Sequence, residues 1–351
     1  MSLLDRTLAA VVLPDPAVAR RTQALLDNKT TPRGSLGRLE ELACRVAAAR
    51  GVEVPELPVK AVVVMAGDHG VAAEGVSAFP QEVTWQMVAN FVRGGAAINV
   101  LARQAGAEVI VADLGVKQPV ELPGVRSARI GPGTGNIARE PAMTRAQAIA
   151  ALEAGITIAE DLAARGVTLV ATGEMGIANT TPASALAAHF TGASPDEITG
   201  RGTGVDDAGL ARKREVVSRA LDLHSRAATD HLDALARLGG FEIAGLAGLV
   251  LGAAARRIPV VVDGFISSVA ALAAVRLSPA AAAYLLAAHR SVEPGHRAVL
   301  AAFDARPLLE LEMRLGEGTG AALAMHLVEA SIRILREMAT FGDAGVSDSG
   351  R

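Results

Sequence analysis

Glu317 is the residue of this sequence best placed to do chemistry, because it stands between two glycines in Met313-Arg-Leu-Gly-Glu-Gly-Thr-Gly-Ala321. With no side chain on either neighbour, a flat ligand can approach both the carboxylate and the backbone around it. An apolar pattern with helical spacing follows, and Thr319 is its predicted N-cap, so Glu317 would lie just before a helix N-terminus. That position favours an ionised carboxylate and therefore a proton acceptor. The alternative is an ordinary turn whose carboxylate points to water.

Other polar residues stand at the ends of apolar runs that have the pattern of strands. They are Asp68, His69, Asp113, Glu174, Asp263, His289 and Ser291. In parallel α/β sheets, ligands bind beyond the carboxyl ends of the strands. We therefore expect these side chains to share one cleft, although each of them alone could be a solvated loop residue.

Three segments repeat the pattern Gly-x-Gly-Thr-Gly, and they begin at Gly131, Gly200 and Gly316. The third glycine comes one residue too early for a dinucleotide fingerprint, and no segment follows a strand directly, so a nicotinamide-dinucleotide site is disfavoured. Such loops still direct several backbone N–H groups at one point, which suits a phosphate or another anion. Lys213 could supply the matching cation, or it could belong to a solvated helix face.

Five strand patterns position these residues. They cover 60–65, 108–113, 167–172, 259–263 and 284–289, and helical patterns lie at about 15–26, 35–49, 81–104, 144–164, 207–237, 242–255 and 267–275. Continuous valine runs indicate strands that are buried on both faces, and their alternation with helices implies right-handed crossovers. The predicted fold is α/β, with three layers and a mostly parallel sheet flanked by helices.

Composition limits the class of protein further. Of the 351 residues, 50% are apolar and 3% are aromatic, and the formal net charge of -3 offers no basic surface for nucleic acid. The single cysteine, Cys44, excludes a disulfide framework and fits a reducing cytoplasm. We see neither a signal-peptide pattern nor a charge-free apolar span, so we expect a cytoplasmic protein without a membrane partner. No zinc-protease motif is present, and His224 and His231 are expected on a helix surface, so neither a metal nor another cofactor is expected.

Eight ordered blocks distinguish the sequence: Pro32-Arg-Gly-Ser-Leu-Gly-Arg-Leu-Glu40, Ala66-Gly-Asp-His-Gly-Val71, Arg93-Gly-Gly-Ala-Ala-Ile-Asn99, Gly135-Asn-Ile137, Gly173-Glu-Met-Gly-Ile-Ala-Asn-Thr-Thr181, Asp263-Gly-Phe265, His289-Arg-Ser-Val-Glu-Pro-Gly-His296 and Met313-Arg-Leu-Gly-Glu-Gly-Thr-Gly320. In content and order they resemble the nicotinate-nucleotide:5,6-dimethylbenzimidazole phosphoribosyltransferases, which make the lower-ligand nucleotide of cobalamin. The match runs nearly from end to end of the chain, so the resemblance is highly specific.

The resemblance implies roles for particular residues. Glu317 matches the general base of the family, Glu174 is associated with the nucleotide site, and the two are the predicted catalytic residues. The predicted substrate-binding residues are Gly176, Asn179, Thr180, Gly202, Thr203, Gly204, Lys213, Asp263, Ser291, Arg314, Leu315, Gly316, Asp68, His69, Phe79, Met87 and Met175. The family also implies a large α/β domain at 56–304, a small helical domain built from 1–55 and about 305–351, and a homodimer.

The implied reaction transfers the phosphoribosyl group of nicotinate mononucleotide to 5,6-dimethylbenzimidazole and gives α-ribazole 5'-phosphate and nicotinate. Nicotinate leaves through a nitrogen that is already cationic, so its departure needs neither a metal nor a proton donor. The attacking base, in contrast, must lose its N–H proton, and a buried carboxylate with a raised pKa can take it. Attack from the opposite face inverts the anomeric carbon.

Two positions depart from the family pattern. Thr31-Pro32-Arg33 stands where members often have Lys-Pro-Pro, and Phe79 lies in the region that lines the base pocket. Phe79 therefore leaves the identity of the accepted base open. Two other functions remain as alternatives: a non-catalytic nucleotide-binding protein, and a hydrolase that releases nicotinate from the nucleotide with water.

Overall fold

The computed structural model describes residues 1–347, and within them a single sheet has six parallel strands. The strands are β1 (Lys60–Gly67), β2 (Ala107–Gly115), β3 (Val125–Ser127), β4 (Leu169–Met175), β5 (Val260–Val262) and β6 (Leu285–Ala287). Their order across the sheet is β3-β2-β1-β4-β5-β6. The order reverses between β1 and β4, which is where open α/β sheets form a ligand crevice. The predicted α/β fold with a parallel sheet is confirmed.

Helices cover both faces of the sheet. One face is covered by α1 (Leu3–Ala10), α6 (Arg145–Ala164), α11 (Phe241–Ala255) and α12 (Phe265–Leu277), together with α7 (Thr180–Thr191), α8 (Pro195–Ile198), α9 (Asp207–His224), α10 (His231–Leu238) and α13 (His296–Ala301). The other face is covered by α2 (Pro16–Asp27), α3 (Arg38–Arg50), α4 (Val83–Arg93), α5 (Ala97–Ala105) and α14 (Thr319–Glu337). A short helix, α15 (Phe341–Ala344), follows α14.

The alternating side chains of β1 explain why the sheet needs a helical layer on each face. Val63 and Met65 belong to the core beneath α6 and α11, whereas Val62 and Val64 belong to the core beneath α5 and α14. All four are fully buried. Successive residues of a strand point to opposite faces, so a continuous apolar run requires cover on both.

Two helices of the first layer approach each other backbone to backbone. A Cβ added at Gly155 of α6 would overlap the carbonyl oxygen of Gly245 in α11, and one at Gly248 would overlap the carbonyl oxygen of Leu152. Only glycine fits at Gly155 and Gly248, because these carbonyl groups belong to the packed helices themselves. The contact fixes α11, whose first turn carries Glu242 to the end of β1.

Several boundaries differ from the sequence-based prediction for local reasons. The strand β3 was not predicted because its three residues contain no apolar run. The helix predicted at 81–104 is two helices, since Gly94 takes a left-handed conformation and ends α4. The helix predicted at 207–237 is likewise interrupted between α9 and α10. Helix α7 was missed, and α3 begins at Arg38, three residues after the start of the helical pattern at 35–49.

One histidine also differs from its prediction. His224 is buried rather than on the surface, and its Nε2 lies 3.0 Å from the carbonyl oxygen of Ile137. His231 is exposed, as predicted. The helical pattern alone could not separate them, because the partner of His224 comes from a distant loop.

Helices from both ends of the chain pack together on one face of the sheet. Leu42 of α3 and Val328 of α14 share the same apolar core, and the Lys29 ammonium donates to the carbonyl oxygen of Met338 at 2.6 Å. The division into domains at 56–304 and at 1–55 with 305–351 stays a prediction, and residues 348–351 lie outside the described residues. None of the helices in 1–347 is long and apolar enough to span a membrane.

Candidate active site

A cavity of about 460 Å³ lies at the carboxyl ends of β4, β5 and β6. The predicted site residues that line it are Phe79, Met87, Glu174, Met175, Gly176, Asn179, Thr180, Gly202, Thr203, Ser291, Arg314, Leu315, Gly316 and Glu317. Five other predicted residues, Asp68, His69, Gly204, Lys213 and Asp263, are not among its lining residues. The structure therefore brings most of the predicted residues to one cavity and places the remainder behind or beside its walls.

Some lining residues were not predicted as binding residues. They are Val83, Ile177, Gly264, Phe265, Ile266, Ser267, His289 and Glu293. His289 was predicted at this edge of the sheet, and Glu293 lies within the same sequence block, so both could have been found from the block itself. Ile177, Gly264 and Phe265 also lie within such blocks, whereas Val83, Ile266 and Ser267 lie outside them and carry no such signal.

Glu317 belongs to a run of three residues with left-handed backbone conformation. The φ angles of Gly316, Glu317 and Gly318 are 85°, 62° and 91°. This conformation costs a non-glycine residue about 1 kcal/mol or more, so the surroundings must hold Glu317 in place. The N-cap of α14 is Gly318 rather than the predicted Thr319, whose hydroxyl donates to the carbonyl oxygen of Gly316 at 2.8 Å.

The carboxylate of Glu317 is buried in the wall of the cavity and only partly satisfied. The residue is 5% exposed, and its Oε2 has no hydrogen-bond partner within residues 1–347. Burial raises the pKa of Glu317 above its ordinary value, and the backbone N–H of Ile98 acts in the opposite direction. A buried carboxylate that lines the cavity and has a raised pKa is suited to take a proton from a ligand.

The loop that carries Glu317 lies directly on β4. A Cβ added at Gly173 would lie 2.5 Å from the carbonyl oxygen of Glu317, and one added at Gly316 would overlap Oε1 of Glu174. Glycine is therefore required at both positions for the loop to approach the strand. The approach places Glu174 and Glu317 side by side in one wall.

Glu174 is held in the protonated form near neutral pH. Burial raises the pKa of Glu174 to about 8, against the hydrogen bond from Asn179 and with support from the charges of Glu242, Asp263 and Glu317. The side-chain amide of Asn179 donates to Oε2 of Glu174. The other oxygen can therefore carry a proton and act as a donor.

A cationic corner lies beside the loop at 200–204. The ammonium of Lys213 is fully buried and donates to Oγ1 of Thr180 at 2.9 Å. Burial lowers the pKa of Lys213 to about 8, while the charge of Glu293 acts in the opposite direction. Gly202 donates its N–H to Oε1 of Glu293 at 3.0 Å, and its carbonyl oxygen accepts from Arg314 at 2.9 Å. Gly204 has a φ of 98° and shapes the end of the loop.

Ser291 is held in the cavity wall by a hydrogen bond to His296, which is fully buried. The backbone N–H of Ser291 donates to Nδ1 of His296 at 2.9 Å, and Nε2 of His296 lies 2.9 Å from Oγ of Ser268. Burial lowers the pKa of His296 to about 3, so the ring is neutral. With Nδ1 as acceptor, Nε2 carries the proton and donates to Ser268.

Asp263 supports the N-terminus of α14. Its Oδ2 accepts from the N–H of Gly318 at 3.1 Å and its Oδ1 from that of Ala321 at 3.0 Å. Burial raises the pKa of Asp263 to about 7, although these N–H groups and those of Gly320 and Gly264 act in the opposite direction. Asp263 thereby anchors the helix whose first residue follows the Glu317 loop.

The carboxyl end of β1 lies behind the cavity rather than in it. Asp68 accepts from the N–H of Lys117 at 2.7 Å, and Nε2 of His69 lies 2.7 Å from Oε1 of Glu242. Asp113, at the end of β2, accepts from the N–H of Val116 at 2.8 Å. These residues are not among those that line the cavity, and a role of Asp68 and His69 in substrate binding stays a prediction. Within residues 1–347, no cluster of three His, Cys, Asp or Glu residues is arranged to hold a metal ion.

One part of the cavity wall is apolar. Phe79, Met87, Met175 and Leu315 line it, and Phe79 and Leu315 are each more than half exposed. The segment that carries Phe79 is bonded to the loop at 200–204, because the N–H of Ala78 donates to Oγ1 of Thr203 at 3.0 Å. The cavity therefore offers a flat apolar wall, a proton acceptor and a cationic corner, which together fit an aromatic molecule and a phosphate.

Comparison with known proteins gives a consistent result. A family model described as Phosphoribosyltransferase matches residues 11–346. The nicotinate-nucleotide–dimethylbenzimidazole phosphoribosyltransferase of Chloroflexus aggregans is 57% identical over 349 residues and is covered to 99%, as is this chain. The protein of that name from a Geobacter species is 55% identical over 348 residues, with 99% of this chain and 100% of that protein covered. The crystal structure of CobT from Thermus thermophilus is similar with a TM-score of 0.91 and 48% identity, covering 95% of this chain and 100% of the other.

Proposed function

The chain belongs to the phosphoribosyltransferase family, and from this membership we propose that it transfers the phosphoribosyl group of nicotinate mononucleotide to 5,6-dimethylbenzimidazole. The observation that carries the proposal is the Glu317 carboxylate, which lines the cavity, is only 5% exposed and has a raised pKa. A benzimidazole has an N–H proton to lose, and Glu317 is placed to take it.

The chemistry needs one bond made, one broken and one proton moved. The lone pair of one benzimidazole nitrogen attacks C1' of the ribose, and the bond from C1' to the nicotinate nitrogen breaks with its electron pair. The proton on the other benzimidazole nitrogen passes to Glu317, whose raised pKa makes it a stronger base than an ordinary glutamate. Base assistance of this kind contributes about 10²- to 10⁴-fold in rate. Attack opposite to nicotinate inverts C1' and gives α-ribazole 5'-phosphate.

Glu174 has a different role in this proposal. Its pKa of about 8 leaves it protonated near neutral pH, so it donates a hydrogen bond to the nucleotide instead of accepting a proton. A neutral carboxyl beside Glu317 also avoids the repulsion of two adjacent negative charges.

The 5'-phosphate is bound at the cationic corner. Lys213 supplies charge, Gly176 and Thr203 supply backbone N–H groups, and Ser291 supplies a hydroxyl, whereas the N–H groups of Gly202 and Gly204 are already bonded within the protein. Thr180 and Asn179 hold Lys213 and Glu174 in place. The remaining predicted residues, Asp68, His69 and Asp263, act from behind the wall.

The base is bound against the apolar wall. Phe79, Met87, Met175 and Leu315 can enclose a flat aromatic ring, and Arg314 holds the loop at 200–204 by its contact with Gly202. Gly316 leaves room for the ring to approach the two glutamates. The nearly apolar wall favours a methyl-substituted ring over a polar purine, because a polar edge would lose its hydrogen bonds to water.

We also propose that the protein is a homodimer and that it is cytoplasmic. Both come from the resemblance and the composition, and no metal or cofactor has a part in the reaction as proposed. The oligomeric state can be measured by light scattering of the purified protein, and a monomeric mass would contradict the homodimer.

Product analysis tests the proposed reaction. The purified protein is mixed with nicotinate mononucleotide and 5,6-dimethylbenzimidazole in the presence of a chelator, and the products are separated and identified by NMR. We expect α-ribazole 5'-phosphate and nicotinate in equal amounts. Ribose 5-phosphate and nicotinate would identify a hydrolase, and nucleotide binding without turnover would identify a non-catalytic protein.

A further inference from the structure

His289 lines the cavity but has no hydrogen-bond partner for its ring. The residue is 2% exposed, its Nδ1 is completely enclosed, and no residue of the described 1–347 range bonds to either nitrogen. A buried polar group without a partner costs about 1–3 kcal/mol, and such groups are uncommon in native proteins. Because Nδ1 is the enclosed nitrogen, Nε2 is the one that meets the cavity, where a ligand can supply the missing partner.

Two glycines make room for this ring and fix its position. A Cβ added at Gly320 would overlap Nδ1 of His289, and one added at Gly264 would lie 3.4 Å from its Cε1. Gly264 is the N-cap of α12, and Gly320 is the second residue of α14. The ring therefore lies between two helix N-termini, whose partial positive charge disfavours an imidazolium ion. Burial also lowers the pKa of His289, so the ring is neutral.

Asp263 determines which nitrogen carries the proton. In a neutral imidazole one nitrogen is a donor and the other an acceptor. Oδ1 of Asp263 lies 3.7 Å from Nδ1 of His289 and accepts from the N–H of Ala321, and the negative partial charge of this acceptor oxygen favours the proton on Nδ1. Nε2 then presents a lone pair to the cavity, and a lone pair requires a donor on the ligand.

We propose that Nε2 of His289 accepts a hydrogen bond from one hydroxyl of the nucleotide ribose, and that Asp263 is the positioning residue that maintains this tautomer. The inference rests on the proposed function, since the ribose hydroxyls are its donors. Ser291, at the phosphate corner, is two residues from His289, and the ribose is one methylene from the phosphate. The other donor, the benzimidazole N–H, is directed to Glu317.

Such a bond would act on catalysis as well as on binding. Positive charge develops at C1' as nicotinate leaves, and a hydrogen bond from an adjacent hydroxyl to an acceptor strengthens in a transition state of this type. His289 is thus a substrate-binding residue whose contribution grows at the transition state if the hydroxyl is the one on C2'.

The test combines variants of His289 with nucleotides that lack one hydroxyl. In the unchanged protein, either the 2'-deoxy or the 3'-deoxy nucleotide should lose about 10-fold or more in kcat/KM through this contact. His289→Ala should lose a similar factor with nicotinate mononucleotide but little further with the deoxy nucleotide that lacks the contacted hydroxyl. His289→Gln, whose amide oxygen can accept the same bond, should recover part of the activity.

Controls separate the possible failures. His224→Ala removes a buried histidine outside the cavity, so any loss should be the same factor with all three nucleotides. An equal loss for His289→Ala with all three nucleotides would overturn the inference. If the unchanged protein forms no ribotide, the proposed function fails instead.

A binding measurement keeps the test valid even if the variants do not fold. Fluorine at C2' or C3' can accept a hydrogen bond but cannot donate one. We expect the corresponding fluoro nucleotide to bind the unchanged protein as weakly as its deoxy counterpart, measured by calorimetry without the base. Full affinity of both fluoro nucleotides would contradict an acceptor at Nε2.

Discussion

Two glutamates lie side by side in the cavity wall, and burial raises the pKa of both. Glu174 has a pKa of about 8, chiefly because of burial. The pKa of Glu317 is raised by the same cause, and the N–H of Ile98 moderates the increase. Enzymes commonly separate an acid from a base in this way, by environment rather than by residue type. In the proposed reaction, Glu317 is the proton acceptor and Glu174 is the neutral donor.

Replacing Glu317 with glutamine tests the acceptor. Glu317→Gln keeps the shape of the side chain but removes its basicity, so kcat should fall by about 10²-fold or more while nucleotide affinity is retained. Glu312→Gln is the matched control, because Glu312 is an exposed glutamate of the same segment and does not line the cavity. Steady-state kinetics and calorimetry measure the two effects. A variant with nearly the parent kcat would make Glu317 a positioning residue only.

The pH dependence of kcat tests the donor. Glu317 must be ionised, so kcat should rise with pH through its raised pKa, whereas Glu174 must keep its proton, so kcat should fall as pH passes its pKa of about 8. Lys213 also has a pKa of about 8, and loss of its charge should raise the KM for the nucleotide.

Two variants distinguish these groups. Glu174→Gln should remove the alkaline fall in kcat, and Lys213→Arg should keep the nucleotide KM low at higher pH, because an arginine stays charged. An unchanged alkaline fall of kcat in Glu174→Gln would show that the proton on Glu174 is not needed.

The sequence predicts these residues with unequal success, for a physical reason. Glu317 and Glu174 stand in glycine-rich blocks, where the missing neighbouring side chains mark an accessible carboxylate. The sequence around Asp263 and His289 does not show what their side chains contact. Their roles depend on where α12 and α14 begin relative to β5 and β6, and that packing is not encoded in the spacing of either residue.

At the scale of elements, the apolar runs predict the central strands because a strand covered on both faces must be apolar throughout. The short edge strand β3 has no such run and could not be found. The prediction of helices was wrong in a different way, because Gly94 divides one predicted helix into α4 and α5. The contact between α6 and α11 is also invisible in the sequence, because a glycine within a helical pattern normally indicates weakness rather than close packing.

Alanine substitution in this contact should therefore be costly. Gly155→Ala would place a methyl group against the carbonyl oxygen of Gly245, and we expect a loss of about 3 kcal/mol or more in unfolding free energy, despite the better helix propensity of alanine. Gly342→Ala is the control, since a Cβ there meets nothing closer than 3.9 Å. Urea denaturation measures both. Equal stability of the two variants would contradict backbone contact between α6 and α11.

At the scale of the whole molecule, the buried carboxyl groups of the site lower the free energy of unfolding. Three neighbouring carboxyl groups, Glu174, Asp263 and Glu317, are buried and have raised pKa values. A carboxyl group that keeps its proton when folded but loses it when unfolded favours unfolding over the interval between the two pKa values. The surrounding apolar layers must offset this cost.

Glu174→Gln should therefore stabilise the protein in a pH-dependent manner. The folded pKa of Glu174 is about 8 and the unfolded value is 4.5, so the penalty is absent below the unfolded value, increases with pH, and reaches on the order of 3 kcal/mol near pH 7. Calorimetric melting should show a larger rise in Tm at neutral pH than at acidic pH. Glu121→Gln, at an exposed position, serves as the control. A Tm change independent of pH would contradict the buried proton.

The depth of the cavity has a consequence for the order in which substrates arrive. Phe79 and Leu315 stand at its exposed rim, while Lys213 is fully enclosed at the phosphate corner. We expect the nucleotide to reach Lys213 past these two exposed side chains, so a base that docks first against them should block its route. The reaction should therefore be ordered, with the nucleotide first, and excess dimethylbenzimidazole should inhibit competitively against the nucleotide in initial-rate measurements. For the same reason, we expect the product to leave with its base end first. The apolar wall would then be the last surface to be occupied and the first to be released.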